Sequence, residues 1–403
     1  MFSELMESVT NVEIFSGSVL DYLRDMSVSS VVMSILTVFM LVGLIDKLRG
    51  NKRGYGERFD AGFHAMGDLA LAVVGIIAVS PVLLRLLSPL VEPLFKLIGA
   101  SPAMFPGSLL ALDMGGYAMS MQMAGENAAI GNYSGIIVAS MMGITMCFTI
   151  PYALTVMKKE DHSLFATGVL LGIVTLPIGC LLGGLTMAVT STPVPFVELI
   201  INTLPVILLA VVVGVGLIWK QSRMLKIFGG FGKCVTFIAS VSPGIAIFQY
   251  LTGIRLPLFY LMVEHDEVLG GVPLEVGLLL VGLIAIVLAG AFPMILFLNR
   301  RLGKLMDKFG KKTGINGEAS TGLLTQLASS IPVWSVIDSM DGRGKLLNVV
   351  FAVSGSFVLG DVLAFTGGAN PEMVFPVIVA KLSGGILAML LAVFLLKKKL
   401  LKH

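Results

Sequence analysis

The sequence predicts an all-α, polytopic membrane protein of the inverted-repeat transporter type. Three observations carry that reading. First, 56% of the 403 residues are hydrophobic and only 13% are charged, whereas a soluble domain carries about 25% charge; the mean hydropathy is +0.94. Second, apolar runs of the roughly 20 residues needed to cross a hydrocarbon core recur along the chain. Third, two stretches between those runs, at 105–134 and 317–344, are polar and broken by glycine and proline. Irregular polar backbone is tolerated at membrane depth only where protein buries it or where it lines a cavity.

Taken in order, residues 1–26 carry Glu4, Glu7, Glu13, Asp21 and Asp25 against the single base Arg24, with Phe2, Leu5, Met6, Val9, Val12 and Val19 at helical spacing. That pattern suits an external amphipathic segment and not a cleavable signal, which would begin basic. Spans are expected at 28–45, 61–84, 133–157, 163–189, 195–219, 235–251, 274–298, 346–365 and 373–396, with 85–98 interfacial. Basic loops separate them: Lys47 to Arg58, Lys158 with Lys159, Lys220 to Lys233, Arg300 to Lys312, and the tail KKKLLKH. Glu264, Asp266 and Glu267 make one acidic loop.

Sidedness tests this partition. If the polar stretches, about 105–131 and 317–344, are re-entrant hairpins and the N-terminus is outside, every basic loop and the C-terminus fall in the cytoplasm and the acidic loop falls outside, as the positive-inside rule requires. The expectation is therefore about nine transmembrane helices plus two opposed hairpins. A short internal match, residues 112–143 against 327–355, supports a first repeat over 27–190 and a second over 234–403. Residues 191–233 would then be a connecting helix and basic loop. Interrupted segments at corresponding places in two inverted halves point to a transporter's binding site.

Chemistry-bearing motifs are few. Residues 229–234 lack the spacing and the Ser/Thr of a phosphate-binding loop, and His64, His162, His265 and His403 form no metal-binding pattern. No enzyme activity, catalytic residue, metal or cofactor is expected, and the net charge of +3 gives no reason to invoke nucleic acid. Cys147, Cys180 and Cys234 fall in apolar runs and read as packing residues. Gly168 and Gly172, and Gly179 and Gly183, lie four positions apart with three residues between, which lets a second helix approach closely, within the chain or in a homo-oligomer.

Asp113 precedes the Gly115–Gly116 break. It can cap that turn or face a cationic substrate, and both readings stand. Asp338 follows the equivalent break at Ser329, Ser330 and Pro332, with Trp334 between, and is expected to face Asp113 with a cation between them. A carboxylate beside an indole suits an organic ammonium through cation–π attraction of about 0.5–2 kcal/mol; an interfacial anchor is the other reading of Trp334. Asp361 and Lys381 are expected at similar depth in the last two spans, where they can pair. Alternatively Lys381 stands in for a coupling cation or moves with Asp361 as a gate. Glu126 and Asn127 either join the pocket or mark the exposed exit of the first hairpin.

Residues 111–118, Ala-Leu-Asp-Met-Gly-Gly-Tyr-Ala, together with Met121-Gln-Met-Ala-Gly125 and the Pro106–Gly107 entry, resemble the ethanolamine utilisation permease family, the EutH type. The compact signature is the run from Asp113 to Tyr117, and the likeness extends over essentially the whole chain. It implies a multi-pass protein of the bacterial plasma (inner) membrane that admits ethanolamine for breakdown by an ammonia-lyase pathway in a microcompartment. A site for this small hydroxylated cation would draw on Asp113, Tyr117, Gln122, Gln326, Ser330, Trp334 and Asp338, with Glu126, Asp361 and Lys381 as gate or ion pair. The rival readings are an ion-coupled carrier of another small solute and a non-transporting scaffold subunit.

Overall fold

A computed structural model describes residues 12–398, which fold into helices with no strand among the described residues beyond an isolated bridge between Asp266 and Gly271. The apolar positions expected at Phe2, Leu5, Met6 and Val9 and most of the basic tail lie outside the described residues. The elements are α1 (Val12–Arg24), α2 (Val28–Leu48), α3 (Tyr55–Leu97), α4 (Met104–Leu109), α5 (Gly116–Ala124), α6 (Ala128–Val156) and α7 (Lys159–Val189). The second half holds α8 (Phe196–Thr252), α9 (Pro273–Thr313), α10 (Gly317–Thr325), α11 (Ile331–Ser335), α12 (Gly342–Ser354), α13 (Asp361–Ala369) and α14 (Pro371–Lys397).

Among the described residues, seven helices, α2, α3, α6, α7, α8, α9 and α14, are long and apolar enough to cross a membrane. Two differences from the sequence expectation account for the smaller number. The expected spans 195–219 and 235–251 belong to one continuous assignment, α8, that turns sharply at Lys220 (φ −139°, ψ 52°). The expected span 346–365 is not one helix: α12 ends at Ser354 and α13 begins only at Asp361. The segment 85–98, expected to be interfacial, continues α3 without a break despite Pro81, Pro89 and Pro93.

Local chemistry sets several boundaries. Ser27 and Ser30 cap α2 reciprocally. The buried Asp46 carboxylate takes the amides of Arg53 (3.1 Å), Tyr55 (2.8 Å) and Gly56 (3.3 Å), ending α2 and starting α3 in one stroke. Asn316 caps α10 through the amide of Ala319 (3.0 Å) and ties its base to Asp341 (2.9 Å) and to the Ser339 carbonyl (2.9 Å).

Packing follows the membrane rule that small residues let helix backbones meet. A Cβ on Gly62 would stand 2.4 Å from the Ala289 nitrogen, so α3 and α9 lie backbone to backbone. The paired glycines of α7 do what their spacing predicted: Gly168 and Gly172 receive Val349 and Val353 of α12, while Gly179 and Gly183 receive Ala380 and Gly384 of α14. Cys147 and Cys180 are buried packing residues, but Cys234 is exposed on α8, because that face of the helix has no neighbour among the described residues.

Candidate functional site

The first polar stretch folds as two short helices, α4 and α5, joined by an unwound segment. Its walls are fixed by serine hydroxyls: Ser120 (3.1 Å) and Ser134 (2.6 Å) both donate to the Ala103 carbonyl. Between the helices, residues 112–114 make a single tight turn that ends at Gly115 in left-handed conformation (φ +91°), where a Cβ would collide with Ile76 at 2.2 Å. Only glycine fits there, which explains the Gly-Gly pair beside Asp113.

The Asp113 carboxylate caps no helix: neither the turn at 112–114 nor α5 has a side-chain cap hydrogen bond. The turn packs against α13, and Asp113 lies close enough to Asp361 for the two charges to interact. No basic side chain pairs with either carboxylate among the described residues. Both remain partly accessible.

Rings frame the carboxylates. Tyr117, one turn after Asp113, meets Phe365, one turn after Asp361, edge to face at 5.8 Å. Phe148 of α6 meets Phe357 edge to face at 5.9 Å and stacks on Tyr152 at 5.4 Å. Each edge-to-face pair takes one ring from each half of the chain. Phe357 sits in the break between α12 and α13 at φ +66°, a conformation that costs a bulky residue energy and persists only where its surroundings impose it. The break is held by the second polar stretch: the amides of Phe357 and Leu359 donate to the carbonyls of Gln326 and Leu327, both at 2.8 Å.

A cavity of about 1550 Å³ reaches this cluster at Met114, Cys147 and Phe148. It runs between the end of α6 and the second arm of α8, past Leu225 and Thr236, and is ringed by Lys159, Lys226 and Lys233. Its inner end, at Met114, Cys147, Phe148 and Tyr152, is apolar and aromatic; neither Asp113 nor Asp361 lines it. Such a pocket, with a few convergent polar groups, is the usual form of a small-molecule site.

The other residues singled out in the sequence fall elsewhere. Gln122 is buried and donates to Asp266 in the acidic loop (3.1 Å), its own oxygen having no protein partner among the described residues. Glu126 is exposed in the turn after α5, the exit position foreseen as its second reading. Gln326 donates to Asn348 (2.8 Å). Trp334 is fully buried, donating to Ser330 (3.2 Å) and packing edge to face on Phe165 at 6.1 Å; it is neither an interfacial anchor nor a face open to a cation.

Two expected partnerships need correction. Asp338 does not face Asp113: it is 44% exposed and pairs with Lys158 (3.0 Å) and, more loosely, Lys345 (3.9 Å), which itself holds Asp161 (2.6 Å). Among the described residues, Lys381 forms no ion pair with Asp361. It donates to the Ser140 carbonyl of α6 (2.9 Å), because the helix break moves Asp361 onto a separate short helix beside the Asp113 turn. Phe148, Phe357 and Phe365 were not anticipated. The signal that would have found them is the Gly355–Gly360 pair followed directly by Asp361 inside an apolar run.

Comparison with known proteins places the chain in a family. The sequence profile described as "Ethanolamine utilisation protein, EutH" matches residues 28–395. The chain belongs to the EutH family. A probable ethanolamine permease EutH of Listeria monocytogenes is 43% identical over 378 residues, covering 94% of this chain and 97% of its own. The probable ethanolamine permease EutH of Salmonella typhimurium is 38% identical, covering 93% and 97%, and the uncharacterised protein YxeR of Bacillus subtilis is 41% identical, covering 90% and 94%. No solved structure matches the chain. Membership of EutH, with seven helices apolar enough to span, makes this a multi-pass membrane protein of a permease family.

Proposed function

We propose that this protein carries ethanolamine, as its ammonium ion, across the bacterial plasma membrane into the cell. The observation that carries the proposal is the Asp113–Asp361 pair: two neighbouring carboxylates with no basic partner among the described residues, framed by Tyr117, Phe365 and the Phe148–Phe357 pair, with a cavity that reaches Met114 and Phe148 next to them. Two like charges brought together at membrane depth favour a cation between them. Aromatic faces add attraction for an ammonium. A small hydroxylated amine has little apolar surface, so a site must recognise it by charge and ring contact. The printed names of the relatives point to the same solute.

The carrier would work by alternating access between two inverted halves, 27–190 and 234–403, with 191–233 connecting them. Counting both arms of α8, and counting α12 with α13 as one crossing, adds two to the seven long helices and gives nine crossings. In that scheme α4–α5 and α10–α11 are re-entrant, the N-terminus is outside and the C-terminus cytoplasmic. A pair of matched contacts supports the scheme: a Cβ on Gly143 would stand 2.0 Å from the Leu110 carbonyl, and one on Gly360 would stand 2.0 Å from the Ala328 carbonyl. Each polar break thus lies in backbone contact with the crossing that follows it. The cavity would be the cytoplasmic route from the site.

Purified protein in liposomes should take up labelled ethanolamine faster than protein-free liposomes. Uptake at the protein-free rate would refute the proposal.

A further inference from the structure

Lys381 is fully buried, the one charged side chain that the described residues enclose completely. It lies about 10 Å along α14 from Val374, at 1.5 Å per residue, where α14 crosses α6 and α7. The crossing is made tight by glycine: a Cβ on Gly179 would stand 2.8 Å from the Ala380 carbonyl and 2.4 Å from the Met141 methyl. The ammonium donates to the Ser140 carbonyl at 2.9 Å, and its nearest titratable neighbour is the Cys180 thiol. No carboxylate among the described residues lies within ion-pair distance of it.

The acceptor is unusual as well. Residues Tyr133–Gly143 of α6 wind as a π-helix, the Ile144 amide reaching five residues back to Ala139. Wide turns of this kind aim carbonyls off the helix axis and mark functional positions. Groups from within and beyond α6 meet these carbonyls. Thr145 donates its hydroxyl to Met141 (2.8 Å) and to Val353 across the interface (2.9 Å), and Lys381 reaches Ser140 from α14. Carbonyls of irregular helices at membrane depth are the usual ligands of coupling cations in carriers, and a buried ammonium needs that kind of ligation to be tolerated.

We propose that Lys381 is a tethered cation. Its ammonium occupies the carbonyl position at Ser140 that a free monovalent cation would otherwise take, so that the crossing of α6, α7 and α14 is held together without sodium. Truncating the side chain would uncover a site for a small monovalent cation or a primary alkylammonium.

The test is the thermal melt of the full-length protein in lipid nanodiscs, in ethanolamine-free buffer at constant ionic strength with choline, sodium or methylammonium as the cation. Wild type should melt at the same temperature in choline and sodium. Lys381→Ala should melt several degrees lower in choline and recover with methylammonium or sodium in a saturable way; recovery in neither overturns the proposal. Lys381→Met keeps the length without the charge and should also melt low, so a melt equal to wild type overturns it too. If neither variant folds, the wild-type arm still decides: a saturable upward shift with sodium shows a free cation site and refutes the tethered one. These melts are independent of the solute carried, so their failure and a failure of ethanolamine uptake are distinguishable.

Discussion

At the first polar break the chain turns over residues 110–115 and leaves Asp113 beside Asp361 and the aromatic rings. At the second it turns over residues 326–330 and turns its polar side chains inward: the Gln326 amide donates to Asn348, its oxygen having no protein partner among the described residues, and Ser330 accepts from the Trp334 indole. Its own carboxylate, Asp338, goes to a surface ion pair with Lys158. Yet the second break supplies the backbone carbonyls that hold residues 357–359 unwound, and that unwinding is what delivers Asp361. One break presents a carboxylate. The other holds a neighbouring segment in the shape that presents the second. Similar composition at two breaks therefore does not imply similar duty.

This contrast can be broken most decisively at the carboxylates. Asp113→Asn and Asp361→Asn should each lower ethanolamine uptake in liposomes about a hundredfold, since removing one partner of a buried charge contact costs about 2–5 kcal/mol and about 1.4 kcal/mol is tenfold. Asp338→Asn should change uptake less than about twofold, as exposed pairs contribute little. Equal losses at Asp113 and Asp338 would restore the facing-carboxylate arrangement that the sequence suggested.

Stability should separate the breaks in the opposite sense. Trp334→Ala removes a fully buried indole and leaves the Phe165 edge unfilled, so the melt should fall by the equivalent of about 3 kcal/mol. Next come Gly143→Ala and Gly360→Ala. Each drives a Cβ into a carbonyl, and overpacking of this kind costs about 1–3 kcal/mol. Comparable losses at both positions would support matched halves; a loss at one alone would count against them. Smaller still is Tyr117→Leu, which removes one ring face worth about 0.5–1 kcal/mol to a cation. It should raise the KM for uptake severalfold with the melt little changed.

Much of the architecture was legible because it rests on composition and periodicity. The long apolar helices, the paired glycines of α7 and the two polar interruptions all follow from spacing. Asp113 was legible for the same reason, since a charge next to Gly115 and Gly116 inside apolar sequence has few structural excuses. What was not legible depends on where separate segments meet. The run 346–365 reads as an unbroken span because its residues are apolar; the interruption is imposed from outside by carbonyls of Gln326 and Leu327. Once that break is missed, Asp361 is placed near the end of an unbroken span at a depth where it can pair with Lys381, and Phe357 and Phe365 carry no signal of their own. Asp338 and Trp334 were misassigned because a polar stretch was taken as one unit, while its residues divide between a buried wall and an exposed rim.

The smallest effect expected is at that rim, and it concerns pH. The Asp338 carboxylate, by hydrogen bond and by charge, holds the Lys158 ammonium protonated above its ordinary range. A lysine whose folded pKa is raised contributes stability that is fully present below its unfolded value, about 10.4, and is lost as pH rises through the folded value. Between pH 6 and 9 both states of Lys158 are therefore charged, and this linkage gives the melt no slope. Melting curves of wild type and Asp338→Asn should run parallel across that window, with the two converging only above about pH 10. A divergence between pH 6 and 8 would mean that Asp338 answers to some other titrating group, and would bring it back from the rim toward the site.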